Sequence, residues 1–140
     1  PAHASRHNRG YWRRGAYLGL GAGAHEFLVG EGAGRVACGG LRRWNVAGVP
    51  QYLAAVRRGR RPTEGGEALD LEQARFEALA LRLRTVDGLT SDEALALGVD
   101  PAGPAVAELR AAGLLGPAPR LRLSERGLFL HGEVVSRLAP

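Results

Sequence analysis

The sequence predicts an α+β fold, in which a glycine-rich basic half with a strand and turn precedes a mainly helical half. Three observations predict it. Gly occurs 21 times in 140 residues, about twice the ~7% of average usage. The charge is split: residues 1–62 carry eleven Arg against Glu26 and Glu31, a net of +9, and residues 63–140 carry eight Arg against twelve acids, a net of −4, together the overall +5. Apolar residues at helical spacing dominate only the second half.

In the first half, residues 17–25 read as a short buried strand running into a glycine turn. Gly19, Gly21 and Gly23 leave its backbone free to take φ > 0. Residues 30–40 are loop-like. Residues 44–58 read as a helix, with Asn45 as N-cap, Pro50 in the first turns, and Val49, Leu53 and Val56 on one face. Gly59 ends it.

Residues 69–89 read as a long amphipathic helix, with Leu71, Phe76, Leu79, Leu83 and Val86 inward and Gly88 closing it. Thr90, Ser91, Asp92 and Glu93 form an N-cap cluster before a short helix over 92–97 that Gly98 stops. Residues 104–115 read as a third helix, with Val106, Leu109 and Leu114 inward. Residues 120–123 alternate as a strand does, 124–127 turn, and 128–138 form a final helix. Three helices, a β-ribbon and a helix are the layout of a winged helix-turn-helix unit.

Composition excludes several classes. No apolar run reaches the ~18 residues of a membrane span, and nothing resembles a secretory peptide. A single cysteine, Cys38, excludes a disulfide framework and an all-cysteine metal site within the chain, and fits a reducing cytoplasm. All 19 cationic residues are Arg, and Met is absent. With Pro1 first, the chain reads as a piece of a longer protein or a processed form. The third helix offers only Glu108 and Arg110 as charges, too few for docking on DNA, so no nucleic-acid partner is expected. The run Arg57, Arg58, Arg60, Arg61 has the charge to meet RNA or DNA, but such a run is more often a solvated helix end complementing the dipole.

The densest chemistry is His7-Asn8-Arg9-Gly10-Tyr11-Trp12. A neutral imidazole ligates iron or zinc. Aromatic faces suit a flat conjugated ligand, and Arg6, Arg9, Arg13 and Arg14 suit its carboxylates. The same residues also fit a segment whose Tyr and Trp tuck against the core while His7 stays solvated. The Gly19–Gly23 string fails as a Rossmann motif, lacking the full G-x-G-x-x-G, its helix and a distant acid. It fits either a cofactor-facing edge or a tightly packed strand. His25 reads as structural, and His3 and His131 receive no role.

These strings, in order, resemble the HemW-type radical-SAM heme chaperones, relatives of oxygen-independent coproporphyrinogen III oxidase. The resemblance runs from His7-Asn8-x-x-Tyr11-Trp12 through residues 17–25, Arg43-Trp44-Asn45, Pro50 with Tyr52, Gly59 with Pro62, and Glu77 with Leu81-Arg82. It ends in Leu121-x-Leu123-Ser124-x-Arg126-Gly127-Leu128-Phe129-Leu130. Glu26 departs from it, since the family commonly has a small residue there.

The resemblance implies a C-terminal portion of such a protein. Residues 1–62 would finish a partial radical-SAM (β/α) barrel, and 63–140 would form the winged-helix-like domain of the oxidase relatives. The 4Fe–4S cluster and S-adenosylmethionine would belong to the parent chain, whose N-terminal radical-SAM portion is then a partner. It further implies heme binding by His7, Asn8, Tyr11 and Trp12, with His7 the candidate iron ligand, and an S-adenosylmethionine-facing turn at Gly21, Gly23 and Ala24. The expected function is heme binding and transfer to an acceptor protein in the cytoplasm, with membrane association only through a partner. The other reading is an anaerobic coproporphyrinogen III oxidase, a radical-SAM decarboxylase, in porphyrin biosynthesis. No catalytic residue is expected in this chain.

Overall fold

The computed structural model describes residues 5–29 and 39–139. Residues 30–38 of the expected loop over 30–40, with Cys38, and His3 lie outside the described residues, and Gly40 already belongs to a strand. The elements run α1 (Arg6–Trp12), β1 (His25–Val29), β2 (Gly40–Asn45), α2 (Val49–Arg57), β3 (Thr63–Leu69), α3 (Leu71–Leu83), α4 (Ser91–Ala96), α5 (Pro104–Ala111), α6 (Glu125–Phe129) and α7 (His131–Leu138). This is a mixed α+β fold with one three-stranded antiparallel sheet in the order β1-β2-β3.

The first two strands carry the aromatic residues Phe27 and Trp44, and the glycine string over 19–23 lies outside the sheet. Residues 17–24 do not form the expected strand: Gly21 and Gly23 take φ of 115° and 69°, and Leu18 and Leu20 point into solvent. The chain pairs only once there, Tyr17 with Phe27, before entering β1. Trp44, expected in a helix, lies in β2 opposite His25 and Gly65. Helix α2 starts at Val49, with Pro50 in its first turn and Gly48 as N-cap, so Asn45 is not the cap. Strand β3, Thr-Glu-Gly-Gly-Glu-Ala-Leu, lacks apolar alternation and was not expected. Its glycine serves packing: a Cβ at Gly65 would fall 2.6 Å from the Trp44 ring, so only Gly lets the indole lie across the neighbouring strand.

The hydrophobic core belongs to the helices. Leu79, Leu83, Leu89, Leu97, Val106, Leu109, Leu121, Val134 and Val135 are fully buried together. The sheet adds Phe27 and Leu69 to the buried set. Helix α3 is shorter than expected, because Asp70 and Gln73 form a capping box after the strand and Arg84 ends it. Leu71, Phe76 and Val86 are therefore exposed, and the small Ala74 and Ala78 share its buried face instead.

Thr90 and Glu93 close the expected capping box at α4, and Gly98 follows it with φ of 85°. Helix α5 stops at Ala111, yet Val106, Leu109 and Leu114 are buried as expected. The ribbon reduces to two isolated bridges, Leu89 with Leu121 and Leu115 with Leu123. The final helix is two: Ser124 caps α6, and Leu130 (φ −105°, ψ 25°) breaks the path before α7. Two apolar surfaces stay in water. On α2 these are Val49, Leu53 and Val56; at the α6–α7 junction they are Leu128, Phe129 and Leu130.

Two expectations follow. A Cβ at Gly127 would sit 2.0 Å from the Leu114 carbonyl oxygen, so Gly127→Ala should destabilise the helical core by about 3 kcal/mol, the upper end for overpacking, in urea unfolding. Burial raises the pKa of Glu93, but the Thr90 backbone N–H and the Arg82 charge outweigh it and hold the carboxyl below its ordinary 4.5. The folded state then binds fewer protons, so the stabilisation is complete above that value and fades as pH falls through the lower folded one. Glu93→Gln should flatten the loss of stability with acid below pH 4.5; an unchanged acid limb would contradict this.

Candidate functional site

The HNxxYW string folds as a helix because Ser5 caps it: the Asn8 backbone N–H donates to Ser5 Oγ at 3.3 Å. With ~3.6 residues per turn, His7 and Tyr11 share one face, and their rings meet edge-on at 4.8 Å. Tyr11 in turn meets Tyr17 at 4.7 Å, and Tyr17 meets Phe27 at 6.4 Å. An aromatic chain thus runs from the exposed His7 to the buried Phe27. Trp12 is five residues from His7, about 140° around the helix, and lies on a different side. The two halves of the string line separate hollows: His7 and Tyr11 line one of about 200 Å³ with Gly15 and Tyr17, and Trp12 lines one of about 180 Å³ with Val86.

Helix α1 is held to the rest by arginine. Arg14 takes φ of 56°, a conformation that costs a non-Gly residue about 1–3 kcal/mol. That turn sends its guanidinium inward, 4.7 Å above the Phe27 ring, where a cation is attracted to the ring face. Its Nε donates to Glu77 Oε2 at 3.4 Å. Glu77 Oε1 accepts from Arg42 Nη2 at 2.6 Å, and Arg42 also pairs with Glu67. The hydrogen bond to Glu77 holds the Arg42 guanidinium above its already high range, despite partial burial.

The Trp12 side opens into a larger cleft of about 1,050 Å³, lined by Arg13, Arg14, Gly15, Arg82, Asp87 and Arg120 among others. Arg9 and Arg13 share Asp87 at 3.1 and 3.9 Å, and Arg82 pairs with Glu93 at 2.6 Å. Arg84 and Arg120 pair with no carboxylate among the described residues; Arg120 Nε donates to the Asp87 carbonyl. Of the arginines expected beside His7, Arg14 points into the Phe27–Glu77 contact instead, Arg9 and Arg13 face the Trp12 cleft, and the Arg6 side chain lies outside what is described. Sequence reading missed Arg82, Arg84, Val86 and Arg120, because residues 13 and 84 meet only through the tertiary fold.

The glycine turn is committed internally. Gly21 N–H donates to Tyr52 Oη at 3.1 Å, and Asn45 Nδ2 donates to the Gly19 and Gly21 carbonyls at 3.1 and 3.0 Å. Gly23 N–H reaches the Val46 carbonyl, and Ala24 exchanges its N–H with Gly21 and its carbonyl with Asn45. Asn45 and Tyr52 therefore clamp a loop whose conformation Gly21 and Gly23 permit. Among the described residues no His, Cys, Asp and Glu group of three or more could hold a metal. No helix of the described residues is long and apolar enough to cross a membrane. His131 Nε2 lies 2.8 Å from the Ala80 carbonyl, tying α7 to α3.

The chain is 33% identical over 139 residues to the heme chaperone HemW of Mycobacterium tuberculosis, in the CDC 1551 and H37Rv strains alike. The likeness covers 99% of this chain and 32% of each relative. The chain is thus similar to HemW along nearly all of its own length, and it spans about a third of the length of these relatives. No protein-family model matches it, and no solved structure does.

Because Glu77 serves two arginines from two elements, Glu77→Ala should cost about 3 kcal/mol, at the low end for breaking a buried pair since Glu77 keeps some water. Hydrogen exchange should quicken first in α1, with α4–α7 still protected. Uniform loss of protection would remove Glu77 from this role.

Proposed function

We propose that this chain is part of a heme chaperone, binding heme on and around α1 for delivery to an acceptor protein. The observation that carries the reading is the likeness to HemW along nearly the whole chain, which includes the His7-Asn8-x-x-Tyr11-Trp12 helix. His7 is the candidate iron ligand: it is exposed, and Tyr11 steadies its ring from the side. Tyr11 offers apolar surface beside the iron, Asn8 a polar edge, and Trp12 a flat indole on the adjoining face.

In the same reading, the antiparallel sheet closes a radical-SAM barrel supplied by the parent chain, and the helices form its winged-helix-like C-terminal cover. The turn at Gly21, Gly23 and Ala24 faces S-adenosylmethionine held by that parent, where the 4Fe–4S cluster also belongs. This chain alone does not fit the cluster, since its sequence holds a single cysteine, Cys38. Delivery in the cytoplasm to an acceptor protein completes the reading, with any membrane contact made through that partner.

Titrating hemin into the purified protein should produce a Soret band with a saturable endpoint. His7→Ala should weaken binding at least fivefold and shift the band, as loss of an axial imidazole does. Binding that is unchanged in position and affinity would overturn the ligand assignment. Anaerobic conversion of coproporphyrinogen III by the full-length parent would favour the oxidase reading instead.

A further inference from the structure

We infer that the carboxylates of the porphyrin are taken by the cleft on the Trp12 side of α1, through Arg84 and Arg120, rather than by Arg9, Arg13 and Arg14, which are engaged with Asp87 and Glu77. The inference rests on the heme reading above and assigns that site its anionic end.

Charge in the cleft is unbalanced. Its hollows are lined by six arginines, from Arg9 to Arg120, against Asp87 and Glu93. Asp87 is shared by Arg9 and Arg13, and Glu93 is occupied by Arg82. Arg84 and Arg120 are left without a carboxylate partner among the described residues; Arg84 lines the Trp12 hollow and Arg120 the adjoining larger cleft, and the two hollows share Arg13, Arg82, Val86 and Asp87. The Arg82 Nε is buried there with no hydrogen-bond partner, which adds a donor that burial makes costly to leave unmet. Guanidinium groups recognise carboxylates through paired N–H donors. The floor is apolar as well as cationic: Trp12 is half-buried against it, and Val86 is 81% exposed at its edge. A flat apolar body with anionic groups at one end matches that lining; a small hydrophilic anion leaves Val86 and Trp12 unused.

The path from the imidazole runs over Gly15. That residue lines both the His7–Tyr11 hollow and the arginine cleft, at the turn where α1 ends. A ligand whose iron meets His7 can therefore pass its far edge over a backbone that presents no side chain. Arg14 keeps the passage open, because its guanidinium is turned inward onto Phe27 and Glu77.

The test compares hemin with its dimethyl ester, which keeps the ring and iron but lacks both carboxylates. Arg84→Gln/Arg120→Gln should weaken hemin binding at least tenfold and leave ester binding within twofold of the parent protein. Arg84→Gln alone should give an intermediate loss; it serves as the second variant, since Arg120 also holds the Asp87 carbonyl. Arg126→Gln, on α6, is the control and should change neither. Equal losses for hemin and ester, or no loss for hemin, would overturn the carboxylate assignment while the heme reading stood. Failure of the unaltered protein to bind either compound would overturn both. An unchanged melting temperature in the variants separates lost recognition from lost fold.

Discussion

One carboxylate organises how the parts of this chain meet. Glu77 projects from α3 and accepts from Arg14, at the end of α1, and from Arg42, on the central strand. The helical core is apolar and closed on itself, so it supplies cohesion without fixing where α1 and the sheet lie. Two charge-assisted hydrogen bonds on one group do fix it, since each requires a distance and a direction. The Arg14 backbone is held in a conformation costly for any residue but glycine. That cost is offset by the ring below its guanidinium and the carboxylate beside it.

The divided charge of the sequence takes its meaning from this arrangement. A basic half beside an acidic half suggests a surface for anions next to a region that repels them. The fold instead uses much of the basic excess internally: Asp87, Glu77 and Glu67 of the second half accept Arg9, Arg13, Arg14 and Arg42 of the first. Among the described residues, Arg57, Arg58 and Arg60 of the first half and Arg84 and Arg120 of the second pair with no carboxylate. Net charge per segment therefore overstates how many arginines of the first half are left for a partner.

The helical half was legible because its signals are local. The capping box at Thr90 and the stop glycine Gly98 act within four residues of where they are read, whereas α3 starts at a capping box on Asp70 that the apolar spacing did not mark and ends at Leu83, before Gly88. The sheet was not. Trp44 stands at the start of a stretch with helix-compatible apolar spacing, and only pairing with His25 and Gly65 makes it a strand residue. Strand β3 carries two glycines and no alternation, so its extended form is imposed by β2. The site was half legible. Chemistry drew attention to His7, Tyr11 and Trp12, whereas the split of that string over two helix faces depends on Ser5 starting a helix there. Arg84 and Arg120 carried no signal beyond composition.

Helix α2 has regular apolar spacing and yet no buried residue. Val49, Leu53 and Val56 leave about half of their surface in water, so their burial contributes little to the folding of this chain; Tyr52, through its hydroxyl on Gly21, ties the helix to the glycine turn. Stability and solubility are thus separable along this segment. Polar replacements at those three positions leave the folding free energy of the isolated chain nearly untouched while removing a sticky face. For preparative work on this chain, the α2 stripe is the place to engineer.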